Sequence, residues 1–418
     1  MKQAKLLGRN LQTNVKGSQF KENARKRPQD FTRNRKMSFE ELVFFILKSS
    51  KTTTSTAIRR FFDELEKDTV MTQQSVSEAR AKLTVAGFEI LYRESTVKPL
   101  VEVNHQTWND YFVYAADGSK IALPADQKLL AYYGAVGRGC KSPTAQGSIL
   151  YDVLNDIVID AAIEPISVDE RTLALRHLDV SKELIDHKKK LIIFDRGYPS
   201  LELIKQLEAD GYRYVMRVRS KFNLDIDAQT ENDGKVWIGS DEHKIQVRVI
   251  KVELDSGEIE TLITNLHDPS LDVEAFKKLY FLRWPIETKY NLLKGKLQLE
   301  NFTARTVEGV QQDFFAAMCL TNFIAAVEND IKEEIKNDRK HKNNTYEYKV
   351  NKNELIGILK DHLIVMLAHD DPDEQDKALE KILQQAQRNV VPVRSGRSLK
   401  RNPHPRKSRY HHNQKSNA

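Results

Sequence analysis

Cysteine is nearly absent from this chain: Cys140 and Cys319 are its only two among 418 residues. Two thiols cannot complete a four-ligand zinc site and are too sparse for a disulfide framework, the usage expected of a reducing compartment. Long apolar runs are missing too. The longest, Phe314 to Val327, covers 14 residues and includes Thr321 and Asn322. A spanning helix needs roughly 20, so the expectation is a buried helix, no membrane partner and a cytoplasmic protein. The segment MKQAKLLGRN has no apolar stretch of signal-peptide length. Internal repeats and sustained low-complexity tracts are lacking. His177 and Cys140 have no partners at metal-ligand spacing, and Gly134, Gly137 and Gly139 of YYGAVGRGC match neither a Walker nor a dinucleotide loop.

Charge, in contrast, is abundant and segregated. Residues 1–36 carry 11 Lys/Arg against Glu22 and Asp30, net +9, and residues 385–418 carry 9 Lys/Arg and no acid, again +9. With +7 overall, the body between them is at −11. Two basic arms on an acidic body suit phosphate neutralisation and steeply salt-dependent nucleic-acid binding. Solubilising tails are the plainer alternative. Tyr410, His411 and His412, interleaved with the cations, favour the first reading.

The length calls for a central catalytic domain with appendages. Ser38 to Val101 reads as helical throughout. SFEELVFFILKSS opens on a Ser38-x-x-Glu41 capping box, STAIRRFFDELEK follows, and TQQSVSEARAKL sets Gln73, Gln74, Ser77 and Arg80 on a polar side. That third helix either reads a DNA groove as in a helix-turn-helix or belongs to an ordinary three-helix bundle. From Trp108 the composition changes. YFVYAAD, GSILYDVLND, IVIDAAIEPI, KLIIFD and YRYVMRV read as strands, with a helical stretch, DERTLALRHLDVSKELIDHKKK, before the fourth. Three more strands, in KVWIGS, HKIQVRVIKVEL and EIETLITNL, form a β-rich insertion at about 220–270. Helix then runs from Leu271 to about Leu299 and from Val307 to Lys336, and again over 351–388.

Asp117 ends the apolar strand YFVYAAD before Gly118-Ser119, and Asp195 ends LIIF before Arg196-Gly197-Tyr198. Strand ends build sites, although an Asp before Gly is commonly turn chemistry alone. A third acid lies in YFLRWPIETKYNLLKGKLQLENF. At about 100° per residue, Arg283 falls near 300°, Glu287 near 340° and Lys294 near 320° from Tyr280, so all four would share one face. This stripe is either a solvated salt-bridge face, with Arg283 and Glu287 paired at i, i+4, or the wall of an active site. Pro285 should kink the helix just before Glu287.

Asp117-Gly118-Ser119, Asp195-Arg196-Gly197-Tyr198 and Tyr280-x2-Arg283-x3-Glu287-x6-Lys294 together resemble the bacterial insertion-sequence DDE transposases with a Tyr-Arg-Glu-Lys signature. The likeness runs from about Asn23 through VPVRSGRSLKR. It implies an α/β fold: an RNase-H-like mixed sheet with flanking helices, a β-rich insertion before the Glu-bearing helix, and an all-α N-terminal DNA-binding domain. The organisation expected is a basic arm (1–36), a helical DNA-binding domain (37–107), a catalytic domain (108–336), a helical region (337–388) and a basic tail (389–418). Asp117, Asp195 and Glu287 are then the catalytic, metal-holding residues for two Mg²⁺ ions, with Mn²⁺ a substitute and Asp117 as the bridge. Hard oxygen ligands and phosphate chemistry suit those ions. Tyr280, Arg283 and Lys294 hold phosphates of the DNA end, and Arg80 contacts DNA. Such enzymes act on terminal inverted repeats and target DNA, commonly as homodimers, and often stack a flipped base of a hairpin on an aromatic residue. Trp237 and Trp284 are candidates, but each reads first as a buried structural residue. The rival readings are an RNase-H-like nuclease that does not join, and a catalytically retired DNA-binding regulator.

Overall fold

Unbroken and alternating apolar runs become strands where the sequence marks them. The computed structural model describes residues 2–48, 52–137, 139, 141–184, 189–240, 244–254, 256–340 and 346–393. Cys140 and most of the basic tail lie outside these residues. The strands of the large sheet are β1 (Phe112–Ala122), β2 (Thr144–Asp152), β3 (Ile157–Pro165), β4 (Lys190–Phe194), β5 (Arg213–Val218), β6 (Asp233–Ile238), β7 (Ile245–Glu253) and β8 (Ile259–Thr264), and Glu347–Val350 pairs separately with Val390–Val393. The large sheet has the order β3-β2-β1-β4-β5-β8-β7-β6. β4 is parallel to both β1 and β5, and all five of its residues are buried, as expected of a strand between parallel neighbours. The insertion strands β8, β7 and β6 extend the same sheet antiparallel beyond β5. The expected α/β class, a mixed sheet with flanking helices, is the one adopted.

The chain divides into two compact units. Asn104–Lys120 with Gln146–Tyr290 form one, and Met1–Val103, Ile121–Ala145 and Asn291–Ala418 form the other. This division does not follow the boundaries expected at 36, 107 and 336. In the sheet-bearing unit, Val113, Leu191, Ile193, Val215, Ile250 and Leu262 form a core closed by Phe276, Leu279 and Tyr280 of the helix Val273–Phe281. The helices Glu170–Leu184 and Leu201–Ala209 pack against β3 and β5. His177 has two structural partners. Its ring is buried between Asp160 Oδ2 at 2.7 Å and Ser148 Oγ at 2.9 Å.

The helical unit corrects the reading of residues 1–36 as an arm. They begin with the helices Gln3–Lys16 and Ser18–Ala24, and Ala4, Leu7, Leu11 and Val15 recur at helical spacing and are buried. Asp330 accepts from the amides of Gln3 and Ala4 at 2.7 and 2.8 Å, satisfying donors that a helix start leaves open. Lys2, Lys5 and Lys16 pair with Glu334, Asp376 and Asp370. Counting charge alone hid the apolar stripe beneath it. The capping box forms as read: Ser38 Oγ accepts from Glu41 N at 3.1 Å, and Ser38 N donates to Glu41 Oε2 at 2.7 Å. The long helix Val307–Lys340 includes a stretch apolar enough to cross a membrane, but 83% of that stretch is buried inside the protein, where it serves as a core helix.

Candidate active site

Register brings the first two acids together. Phe112 pairs with Lys190 and Ala115 with Ile193. β4 stops at Phe194, and the same register continued two residues sets Asp195 beside Asp117. Strand side chains alternate, so Asp117 shares a face with Val113, and Asp195 with Leu191 and Ile193. This is the face that carries the core under the helix Val273–Phe281.

Asp117 is not followed by a turn. β1 continues through Gly118 and Ser119 to Ala122, held past the end of β4 by its neighbour β2, where Ser148 Oγ donates to the Asp117 carbonyl at 3.4 Å. Gly118 serves close approach. A Cβ there would lie 2.6 Å from Glu170 Oε1 and 2.7 Å from Gln146 Nε2. Gly118→Ala is therefore expected to push the ends of the Glu170 and Gln146 side chains aside at a cost of about 1 kcal/mol, the low end of overpacking. Urea denaturation would show it, and an unchanged midpoint would refute the contact.

The expected continuous helix with its shared face does not form. The helix Val273–Phe281 ends in a turn at Leu282-Arg283, and a second helix, Trp284–Asn291, starts there with Pro285 in its first turn. Proline lacks the amide that would continue the first helix but is tolerated in the first turn of the next. Tyr280 thus precedes the break, Arg283 lies in it, and Glu287 follows it. They still meet acids: Tyr280 Oη donates to Asp195 Oδ1 at 3.3 Å, and Arg283 Nη2 donates to Glu287 Oε1 at 3.0 Å. The Arg283 guanidinium also lies 5.9 Å from the Tyr280 ring and 5.5 Å from the Trp284 ring.

Lys294 and Arg80 belong to the other unit. Lys294 lies in the π-helical turn Leu292–Lys296 with Glu300 at 3.7 Å. Arg80 is not presented as a base-reading side chain. It is nearly buried, donating to Gln312 at 2.8 Å, to the Gly309 carbonyl at 2.6 Å, to Asp313 at 2.9 Å and to Thr303. Gln73, Gln74 and Ser77 of the helix Gln73–Arg80 remain exposed. The tryptophans depart from expectation as well, Trp237 being 55% and Trp284 50% exposed.

Burial holds the Asp117 carboxyl up at about 7, and the neighbouring charges of Glu170 and Asp195 add to the rise; Gly118 N and Arg283 act against it. Tyr280 is pushed up by burial and by Asp195. Sequence reasoning missed several groups here. Tyr290 Oη donates to the Asp117 carbonyl at 2.8 Å, and Tyr198, Gln146, Ser148 and Glu170 complete the surroundings. Tyr198 was visible inside Asp195-Arg196-Gly197-Tyr198. Glu170 had no sequence signal, because only the crossing of β3 and the helix after it brings it near β1.

Among the described residues, no three His, Cys, Asp or Glu side chains stand together closely enough to hold a metal ion. The donor set nevertheless fits a hard divalent cation. The charges of Glu170 and Asp195 act on Asp117, with Arg283 a cation whose charge reaches Asp117, Asp195 and Glu287, and hard oxygen donors of like charge suit a divalent counter-ion. Tyr198 Oη adds a buried oxygen that has no hydrogen-bond partner among the described residues and feels the charges of Asp117, Glu170 and Asp195.

No curated protein sequence matches the chain. Among similar solved structures is the cryo-EM structure of a piggyBac transposase synaptic complex with hairpin DNA, with TM-score 0.49, 10% identity, and 94% of this chain and 87% of that one covered. The family model of the transposase DDE domain matches residues 108–323, just over half the chain. The match takes in the sheet, the in-register pair Asp117 and Asp195, and the segment that returns Glu287 to Arg283, and on it the chain belongs to the DDE-domain transposases.

Proposed function

We propose that the chain binds the terminal inverted repeats of a mobile element as a dimer on paired ends, cleaves DNA there, and joins the freed ends to target DNA in cut-and-paste transposition. DDE transposase domains generally use divalent metal ions, and in this reading Asp117, Asp195 and Glu287 hold Mg²⁺, with Mn²⁺ as a substitute. Two such ions supply charge stabilisation for the attacking and leaving oxygens of an in-line displacement. The attacker is water in cleavage and a DNA 3′-hydroxyl in joining. The observation that carries this assignment is the register that sets Asp117 beside Asp195 on the face covered by the helix ending at Tyr280.

The chain's own groups have separable tasks. Tyr290 and Ser148 hold the backbone carbonyl of Asp117, which keeps its carboxylate aimed. Tyr280 orients Asp195, and Arg283 retains Glu287. Arg283 and Tyr280 are buried, so contact with a DNA phosphate requires these pairs to open. Lys294 adds a point charge suited to phosphate. The exposed Gln73, Gln74 and Ser77 and the basic terminal segments supply further DNA contacts, in keeping with a nucleoid-associated cytoplasmic enzyme. Exposure of Trp237 and Trp284 supports a stacking role for one of them if the second strand is cut through a hairpin.

Transfer of a pre-cut 3′ end into plasmid DNA tests the proposal. Joined product in Mg²⁺ is the expected result. Cutting without joining would identify a nuclease, and binding with neither reaction a retired regulator. Retention of all three acids argues against the last.

A further inference from the structure

We propose that Glu170 is a fourth carboxylate of the catalytic centre and binds the divalent cation together with Asp117, an inference that rests on the function proposed above. Glu170 opens the helix Glu170–Leu184, where an acid ordinarily needs no explanation beyond the helix dipole. Here that explanation falls short. Asp169 already caps this helix, accepting from Arg171 N at 3.1 Å and Thr172 N at 3.4 Å, while the Glu170 carboxylate turns inward. Its Oε1 accepts from Gln146 Nε2 at 3.1 Å and lies against Gly118, the residue next to Asp117, so closely that a methyl group would not fit. The next residue, Arg171, reaches Gly197 O of the loop after Asp195 at 3.4 Å. The start of this helix therefore touches the backbone beside both in-register acids.

A second, independent observation points to a ligand at the same place. The Tyr198 hydroxyl is buried, with only 2% of the residue exposed, and has no hydrogen-bond partner among the described residues. The charges around it are those of Asp117, Glu170 and Asp195. A buried hydroxyl without a partner is costly. A hydrated cation held by these carboxylates would give it one, and would relieve the repulsion that Glu170 and Asp195 exert on Asp117.

The test is Mn²⁺ binding to the full-length protein, read by the electron paramagnetic resonance of the free ion. Thermal unfolding without metal serves as the check on folding. Glu170→Gln, which can keep the bond from Gln146, is expected to weaken Mn²⁺ binding by about tenfold or more, the scale on which residues around a metal matter. Its metal-free unfolding temperature should stay near that of the wild type. Wild-type affinity in Glu170→Gln together with lost affinity in Asp117→Asn would overturn the role of Glu170 and leave the DDE assignment standing. Wild-type affinity in both variants would overturn the assignment of Asp117 itself. If Glu170→Gln does not fold, Glu170→Asp withdraws the same charge by one methylene. Weakened binding in that variant supports the proposal, and unchanged binding refutes it.

Discussion

Asp117→Asn is expected to abolish both cleavage and joining, by about 10³-fold or more, and at the same time to make the metal-free protein more stable at neutral and higher pH. The first effect follows from removing an oxygen ligand where charge stabilisation is worth several kcal/mol. The second follows from the position of the group. Burial raises the Asp117 carboxyl from its ordinary 3.8 to about 7. Between those values the folded chain keeps a proton that the unfolded chain has lost, so the unfolding free energy falls as pH rises from 3.8 to about 7 and is level above it. Asparagine carries no such penalty. The stability gained by the variant should be near zero at pH 4 and grow to at most about 4 kcal/mol above pH 7, three units at 1.36 kcal/mol each. Urea denaturation in chelator across that range measures the trend. A variant that still cuts DNA would remove Asp117 from the site, and a gain that did not grow with pH would remove it from a buried, crowded one.

The chemistry of this site was easier to find in the sequence than its construction. The eight strands of the sheet were legible, because β-branched and aromatic runs of strand length leave little else to form, although Asp233-Gly234 begins β6 rather than a turn. Their order was not legible, and so the adjacency of Asp117 and Asp195 rested on motif resemblance until the β1–β4 register supplied a geometric reason. Helical periodicity put Tyr280, Arg283, Glu287 and Lys294 on one face by assuming a continuous helix. Pro285 starts a new helix instead, and the Arg283–Glu287 pair survives because the turn before it keeps the two a helical step apart. Tryptophan was misread for a different reason: aromatic bulk argues for burial only on average, whereas Trp237 lies on β6, at the edge of the sheet. Glu170 could not be found from local pattern, since an acid in a first turn looks the same whether it faces solvent or a catalytic centre.

Arg80 shows the same limit with a larger energetic consequence. A polar face on a third helix suggested contact with DNA, but the guanidinium is enclosed by Gln312, Gly309, Thr303 and Asp313, with the Asp313 side chain only 5% exposed. Breaking a buried pair by removing one partner leaves the other charge uncompensated, at a cost of about 3–5 kcal/mol. Arg80→Ala should therefore lower stability by that amount, although Thr303 continues to donate to Asp313 through its amide at 2.6 Å and its hydroxyl. Neutralising the stranded acid should recover part of the loss, so Arg80→Ala with Asp313→Asn is expected to be more stable than Arg80→Ala alone. A base-reading arginine predicts the opposite pattern: normal folding, a loss of DNA affinity of about 1–3 kcal/mol, and no rescue by Asp313→Asn. Denaturation curves for the two single variants and the double variant, with DNA binding measured only under conditions where each is folded, separate the two roles. Intact stability in Arg80→Ala would return this residue to the DNA interface.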